Sequence, residues 1–198
     1  MTDQHQDDQA TAYTFVARWM HWAMAVLICL ALKFGFVMDD QSGTELASSL
    51  ARHSSAGLLV LGFAILRVFW RLGYPPSQLP KTVSKLQALA AWAVHLALYG
   101  FMLGVPLTGI YAAAAHDLAV LSFWMFDLRE GVQFLGVDNF ETRRSVHTFA
   151  MDAFLVFLIL HIGGALVHQF YFKDDVLRRM TGRKKAGQST GNEVRQKF

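Results

Sequence analysis

Long apolar runs alternate with short polar breaks along this chain, and four of the runs reach membrane-spanning length, at roughly residues 17–37, 54–70, 88–115 and 146–172. An α-helix rises about 1.5 Å per residue, so about 20 apolar residues cross a hydrocarbon core about 30 Å thick. The third run contains no Asp, Glu, Lys or Arg, which makes it the cleanest span. The first carries Lys33 and the fourth Asp152, yet both stay long enough. Lys33 reads as a snorkelling cation and Asp152 as a polar contact between helices. The pattern predicts an all-α membrane protein built as a four-transmembrane-helix bundle. A soluble helical bundle is the competing reading, and the uncharged third run argues against it.

The breaks are informative too. Residues 1–14 and 182–198 read as polar, disordered tails around a folded core at 15–181. Gly73, Pro75, Pro76 and Pro80 make a short stiff turn after the second span. Between the third and fourth spans, Leu118–Phe126 is apolar but too short to cross as a helix. It reads as an interfacial lid over the outer ends of the bundle, anchored by Phe123, Trp124 and Phe126.

Composition agrees: 54% of the 198 residues are hydrophobic and the mean hydropathy is +0.30. The formal net charge is +3 and the sequence pI about 9.1. Basic residues crowd the segment from Lys173 to Lys197, whereas the loop after the first span carries Asp39, Asp40 and Glu45 with only Arg52. The positive-inside rule then predicts cytoplasmic N- and C-termini and a periplasmic lid. The basic tail suits topology and anionic lipid rather than nucleic acid. No cleavable signal pattern precedes the first span. The single cysteine, Cys29, excludes an internal disulfide, and the lack of a C-x-x-C-H motif excludes thioether-linked haem.

Histidines supply the candidate chemistry. His147 and His161 lie fourteen residues apart in the fourth run, nearly the same helical face and about 21 Å along the axis. With the N-terminus inside, His21 lies at the cytoplasmic end of the first span and His53 at the periplasmic start of the second. Depth therefore pairs His53 with His147 outside and His21 with His161 inside. Neutral imidazole is a good axial ligand, and bis-histidine ligation closes the iron to oxygen and favours electron transfer. A lone histidine in a span is more often a hydrogen-bonded polar residue, but four at two matched levels point to two haems. Gly57, one turn from His53, and Gly35, fourteen residues from His21, are small neighbours for a macrocycle or for close helix contact.

Around these sit candidate partners for haem propionates or a quinone. Arg67 falls fourteen residues after His53, at the inner level, with Arg71 one turn further; both also fit as ordinary flanking cations. Arg18 shares the face of His21. His95 opens the third span on the inner side, and His168 follows His161 by seven residues. Both are read as too near the surface to be deep ligands but placed to exchange protons with a quinone.

The motifs R-W-M-H-W at Arg18–Trp22, R-H-S-S-A-G at Arg52–Gly57, R-V-F-W-R-L-G-Y-P-P at Arg67–Pro76, H-L-A-L-Y-G-F-M-L-G-V-P-L-T-G at His95–Gly109 and H-Q-F-Y-F-K-D-D-V-L-R-R-M at His168–Met180 run through most of the chain. With them it resembles the bacterial cytochrome b561 family of four-helix dihaem membrane proteins. The resemblance implies two noncovalent haem b groups on His21, His53, His147 and His161, an inner-membrane location, and electron exchange with ubiquinone. It further implies superoxide as a periplasmic electron donor, drawn in by Arg52, Arg143 and Arg144 with Arg129 nearby. The alternative within the wider family is an anchor subunit that passes electrons between quinone and a docked dehydrogenase, hydrogenase or reductase.

Overall fold

The computed structural model describes residues 14–74, 84–132, 139–173 and 176–181. Helix α1 runs Phe15–Val37, α2 Gly43–Gly73, α3 Lys85–Ala113 and α5 Phe140–Val167. The described residues also form a single 3-10 turn (Met38–Asp40), two short helices, α4 (Leu128–Val132) and α6 (Val176–Thr181), and a two-strand hairpin. All four long helices are long and apolar enough to cross a membrane. The expected tails, apart from Thr14, and the proline-rich turn after Tyr74 lie outside the described residues.

Side-chain caps start three of the four long helices, α1, α3 and α5. Thr14 Oγ1 accepts from the Ala17 amide at 3.3 Å. Ser84 and Gln87 form a reciprocal capping box at the head of α3, and Asn139 Oδ1 accepts from the Thr142 amide at 2.9 Å at the head of α5. Each side chain satisfies a donor that the first turn leaves free. Helix α5 runs into a π-helical turn, His168–Phe172, that stops at Lys173 in a left-handed conformation (φ 54°).

The second and fourth helices begin earlier than hydropathy predicts, at Gly43 and Phe140. Residues 43–52 are mostly small or polar, with Leu46 and Leu50 among them, and are not apolar enough to read as a span, but none of them stops a helix. His53 therefore sits ten residues inside α2 rather than at its start.

Packing makes two helical hairpins. Helix α1 lies mainly on α2 and α3 mainly on α5, with a smaller α2–α3 contact joining the pairs. Ala51, Ser55, Ala56, Val60 and Ala64 are buried on α2. This small-residue stripe lets backbones approach closely, which is how membrane helices gain dispersion contacts without a hydrophobic driving force.

The lid forms a β-hairpin. Strands β1 (Leu121–Ser122) and β2 (Phe126–Asp127) pair antiparallel with Ser122 opposite Phe126. Phe123 and Trp124 occupy the left-handed region (φ 53° and 56°), a strained geometry that costs non-glycine residues roughly 1–2 kcal/mol each. Side chains of α2 hold it in place: the Ser122 hydroxyl donates to Ser54 Oγ at 2.9 Å and the Phe123 amide to Ser55 Oγ at 2.6 Å. The hairpin thus sits beside His53. At its tip Trp124, Met125 and Phe126 stay exposed.

Candidate haem centres and their surroundings

Helix α5 contributes one imidazole at each end of the site, and the other hairpin faces both. The His53 and His147 ring centres lie 6.0 Å apart with planes at 90°. Those of His21 and His161 lie 6.2 Å apart at 42°. Two imidazoles sharing one metal ion, each at a bond length of about 2 Å, hold their ring centres about 6 Å apart. Among the described residues no three His, Cys, Asp or Glu side chains converge to cage an ion. Paired imidazoles with no third donor suit a metal whose remaining positions a macrocycle fills. The residues fit haem at both levels.

The first pair is held by backbone. His53 Nδ1 donates to the Ala31 carbonyl of α1 at 2.8 Å. His147 Nδ1 donates to the Val105 carbonyl of α3 at 3.1 Å, with Thr108 Oγ1 3.0 Å from the same nitrogen. The Thr108 hydroxyl is itself turned to Val105 O at 2.8 Å. A Cβ on Gly35 would meet His53 Cε1 at 3.2 Å, and one on Gly109 would meet His147 Cε1 at 3.2 Å. At both positions a side chain would crowd the imidazole that reaches those carbonyls. Gly57 has nothing within 4 Å of its Cβ position and lies against neither ring.

At the other end a third histidine joins. His95 lies 5.1 Å from His161, ring centre to ring centre, level with that pair rather than nearer the surface as its sequence position suggested. Helix α3 starts at Lys85 and so carries His95 deeper than expected. Arg67 Nε donates to the Tyr99 hydroxyl at 3.1 Å and Nη1 to the Ala17 carbonyl at 3.4 Å. The Arg71 guanidinium sits 5.8 Å from the Tyr99 ring. Tyr99 was not singled out from sequence, although it follows His95 by one turn on the same face. Arg18 is half-buried on α1. His168 opens the π-helical turn, its ring 5.3 Å from Phe172.

The expected steering cations separate into three situations. Arg52 is exposed, its guanidinium 5.4 Å from the Phe34 ring. Arg144 pairs with Asp39 and ties α5 to the turn after α1. Arg143 is only 2% exposed. It donates Nη1 to the Tyr111 carbonyl at 3.1 Å and packs 4.4 Å from the Tyr111 ring. This corrects the expectation that Arg143 offers a surface cation: it is enclosed between α3 and α5. Asp152, expected to bridge helices, instead faces outward, on the opposite side of α5 from His147.

Arg129 is engaged as well. Its Nη2 contacts Asp127 Oδ2 at 2.8 Å and its Nε the same oxygen at 3.0 Å, while Asp127 Oδ1 accepts from the Val120 and Arg129 amides. The Arg129 side chain holds the Asp127 carboxyl below its ordinary value of 3.8. A depressed carboxyl stabilises fully above the ordinary value and loses that contribution only as pH falls below it. The hairpin is therefore expected to keep its amide protection unchanged from pH 8 down to about 4, whereas Asp127→Asn exchanges faster at Val120 and Arg129 throughout. Hydrogen exchange resolved by residue measures this, and equal protection in wild type and variant contradicts it.

Known proteins bear on the site. A family model described as prokaryotic cytochrome b561 matches residues 12–183. The chain is 28% identical over 174 residues to cytochrome b561 homolog 2 of Escherichia coli (strain K12), covering 86% of this chain and 92% of that protein. It is 23% identical over 176 residues to a protein of Yersinia pestis named probable superoxide oxidase CybB, covering 84% and 93%.

Proposed function

The chain belongs to the prokaryotic cytochrome b561 family, membrane haem proteins of electron transfer, and from that premise we propose that it oxidises superoxide at one membrane face and reduces ubiquinone. Two superoxide anions each give up one electron and leave as dioxygen; one ubiquinone takes both electrons and two protons and leaves as ubiquinol. The observation that supports this reading best is the pair of imidazole couples bridging the two helical hairpins, at 6.0 and 6.2 Å. In this reading two haem b groups, when bound, supply one-electron redox centres at two depths. Everything else is the work of side chains.

His53 and His147 hold one haem near the hairpin, and His21 and His161 hold the other. The exposed Arg52 sits next to His53 in the chain and gives the first end a surface cation that attracts a small anion. Serine contacts pin the hairpin beside His53. At the other end Arg67, Tyr99, His95 and His168 supply polar groups that hold a quinone carbonyl or hand it protons. An apolar groove at that end, lined by Trp19, Trp22, Val26, Leu59 and Phe63, suits a prenyl chain. The basic residues after Lys173 favour a cytoplasmic placement of both termini, which makes the hairpin end periplasmic in the bacterial inner membrane. The name of the Yersinia pestis relative points to the same donor.

Stopped-flow mixing of the oxidised protein with superoxide tests the proposal. Haem reduction should outrun spontaneous dismutation, slow with rising salt, and slow further in Arg52→Glu. Reduction no faster than dismutation permits overturns superoxide as the donor. His168→Ala should slow ubiquinone reduction about tenfold or more while leaving both haem spectra intact; loss of a haem in that variant contradicts the quinone role.

A further inference from the structure

His53 and His147 sit on different helices, face different neighbours and share no sequence context, yet the same device holds both. In each case Nδ1 reaches a backbone carbonyl on the neighbouring helix of its own hairpin, Ala31 for His53 and Val105 for His147. In each case a glycine follows that carbonyl by four residues, Gly35 and Gly109, and the imidazole lies where its Cβ would be. Because that carbonyl also accepts from the i+4 amide in an α-helix, the ring comes in over residue i+4, where a Cβ would crowd it at 3.2 Å.

A carbonyl can only accept, so Nδ1 must carry the proton and the Nε2 lone pair is free for a metal. Such a second partner raises the donor strength of a ligating imidazole, and a stronger donor favours the more highly charged oxidation state. The other end lacks the device. His21 Nδ1 is buried with no hydrogen-bond partner, and His161 has no hydrogen bond among the described residues. Gly100, Gly104, Gly163 and Gly164 have nothing within 4 Å of their Cβ positions.

We infer that Ala31–Gly35 and Val105–Gly109 are matched cradles that position His53 and His147 and make the hairpin end of the protein the more reducing of the two. The inference rests on the dihaem reading and adds a direction to it: electrons run downhill from the His53–His147 end to the His21–His161 end. Gly35, Gly109 and Thr108 are positioning residues in this scheme, acting through the imidazoles.

Gly35→Ala and Gly109→Ala test it, with Gly62→Ala and Gly104→Ala, whose new methyl groups meet nothing, as controls. Each purified protein is measured for haem content, by optical redox titration and by ferric EPR, and a His21→Ala variant marks which signals belong to the His53–His147 end. The lower potential should belong to that end. Both cradle variants should keep two haems, raise that lower potential and alter only the EPR signal of that end, while the controls match wild type. Where either glycine variant fails to fold, Thr108→Val adds no bulk, changes the groups around His147 Nδ1 and should shift the potential and the EPR signal of that end alone. Potentials unmoved by every foldable cradle variant, or a shift confined to the other end, overturn the cradle. Wild type with fewer than two haems overturns the dihaem reading itself, a separate outcome.

Discussion

Replacing His53 or His147 with alanine is expected to halve the haem content of the purified protein, from two haem b per chain to one, and to leave the His21–His161 haem spectrally unchanged. The two couples sit at opposite ends of α5, fourteen residues and about 21 Å apart, so a ligand lost at one level leaves the other intact. His161→Ala is expected to give the converse loss. His95→Ala discriminates further. His95 touches His161 at 5.1 Å, closer than the roughly 6 Å at which two rings sharing a metal stand. His95→Ala is therefore expected to keep both haems, and loss of the second haem there would give His95 the role proposed for His21. Pyridine haemochrome content per chain reads all four variants.

The second large effect concerns stability. Arg143→Leu is expected to lower thermal stability in detergent by about 2–4 kcal/mol, a fall in the unfolding midpoint of roughly 5–15 °C. Arg143 rises from the first turn of α5 and donates to the Tyr111 carbonyl in the last turn of α3. Such carbonyls lack intrahelical donors, and a cation there also complements the helix dipole. Removing the guanidinium removes that donor and forfeits its packing on Tyr111. Arg143→Lys should recover part of the loss, since one ammonium can reach the carbonyl but cannot stack as a planar group. The salt dependence of superoxide reduction should be the same in Arg143→Leu as in wild type, because an enclosed cation steers little. A variant as stable as wild type but with weakened steering would restore the surface role that sequence suggested.

Much of this was legible from sequence because it follows from periodicity. Helical rise and hydropathy place four helices, and the same arithmetic levels His53 with His147 and His21 with His161. Gly35 was placed at the level where it meets His53 for the same reason. What periodicity misses depends on the neighbour. The cradle carbonyls of Ala31 and Val105 leave no trace in residue type, and Gly109 is one of several glycines near Pro106. Arg143 and Arg144 are adjacent and chemically alike, yet one is enclosed beside Tyr111 and the other meets Asp39 at the surface. The hairpin could not be read from Leu121–Asp127 because its turn uses Phe123 and Trp124 where glycine or asparagine is usual. Contacts from Ser54 and Ser55, distant in sequence, hold that strained turn in place.

In the proposed function, two imidazole couples hold two haems between two helical hairpins. Pyridine haemochrome analysis of the purified full-length protein, normalised to protein by amino-acid analysis, tests it most directly. Two haem b per chain are expected. A single haem, or none after expression with ample haem supply, would contradict it.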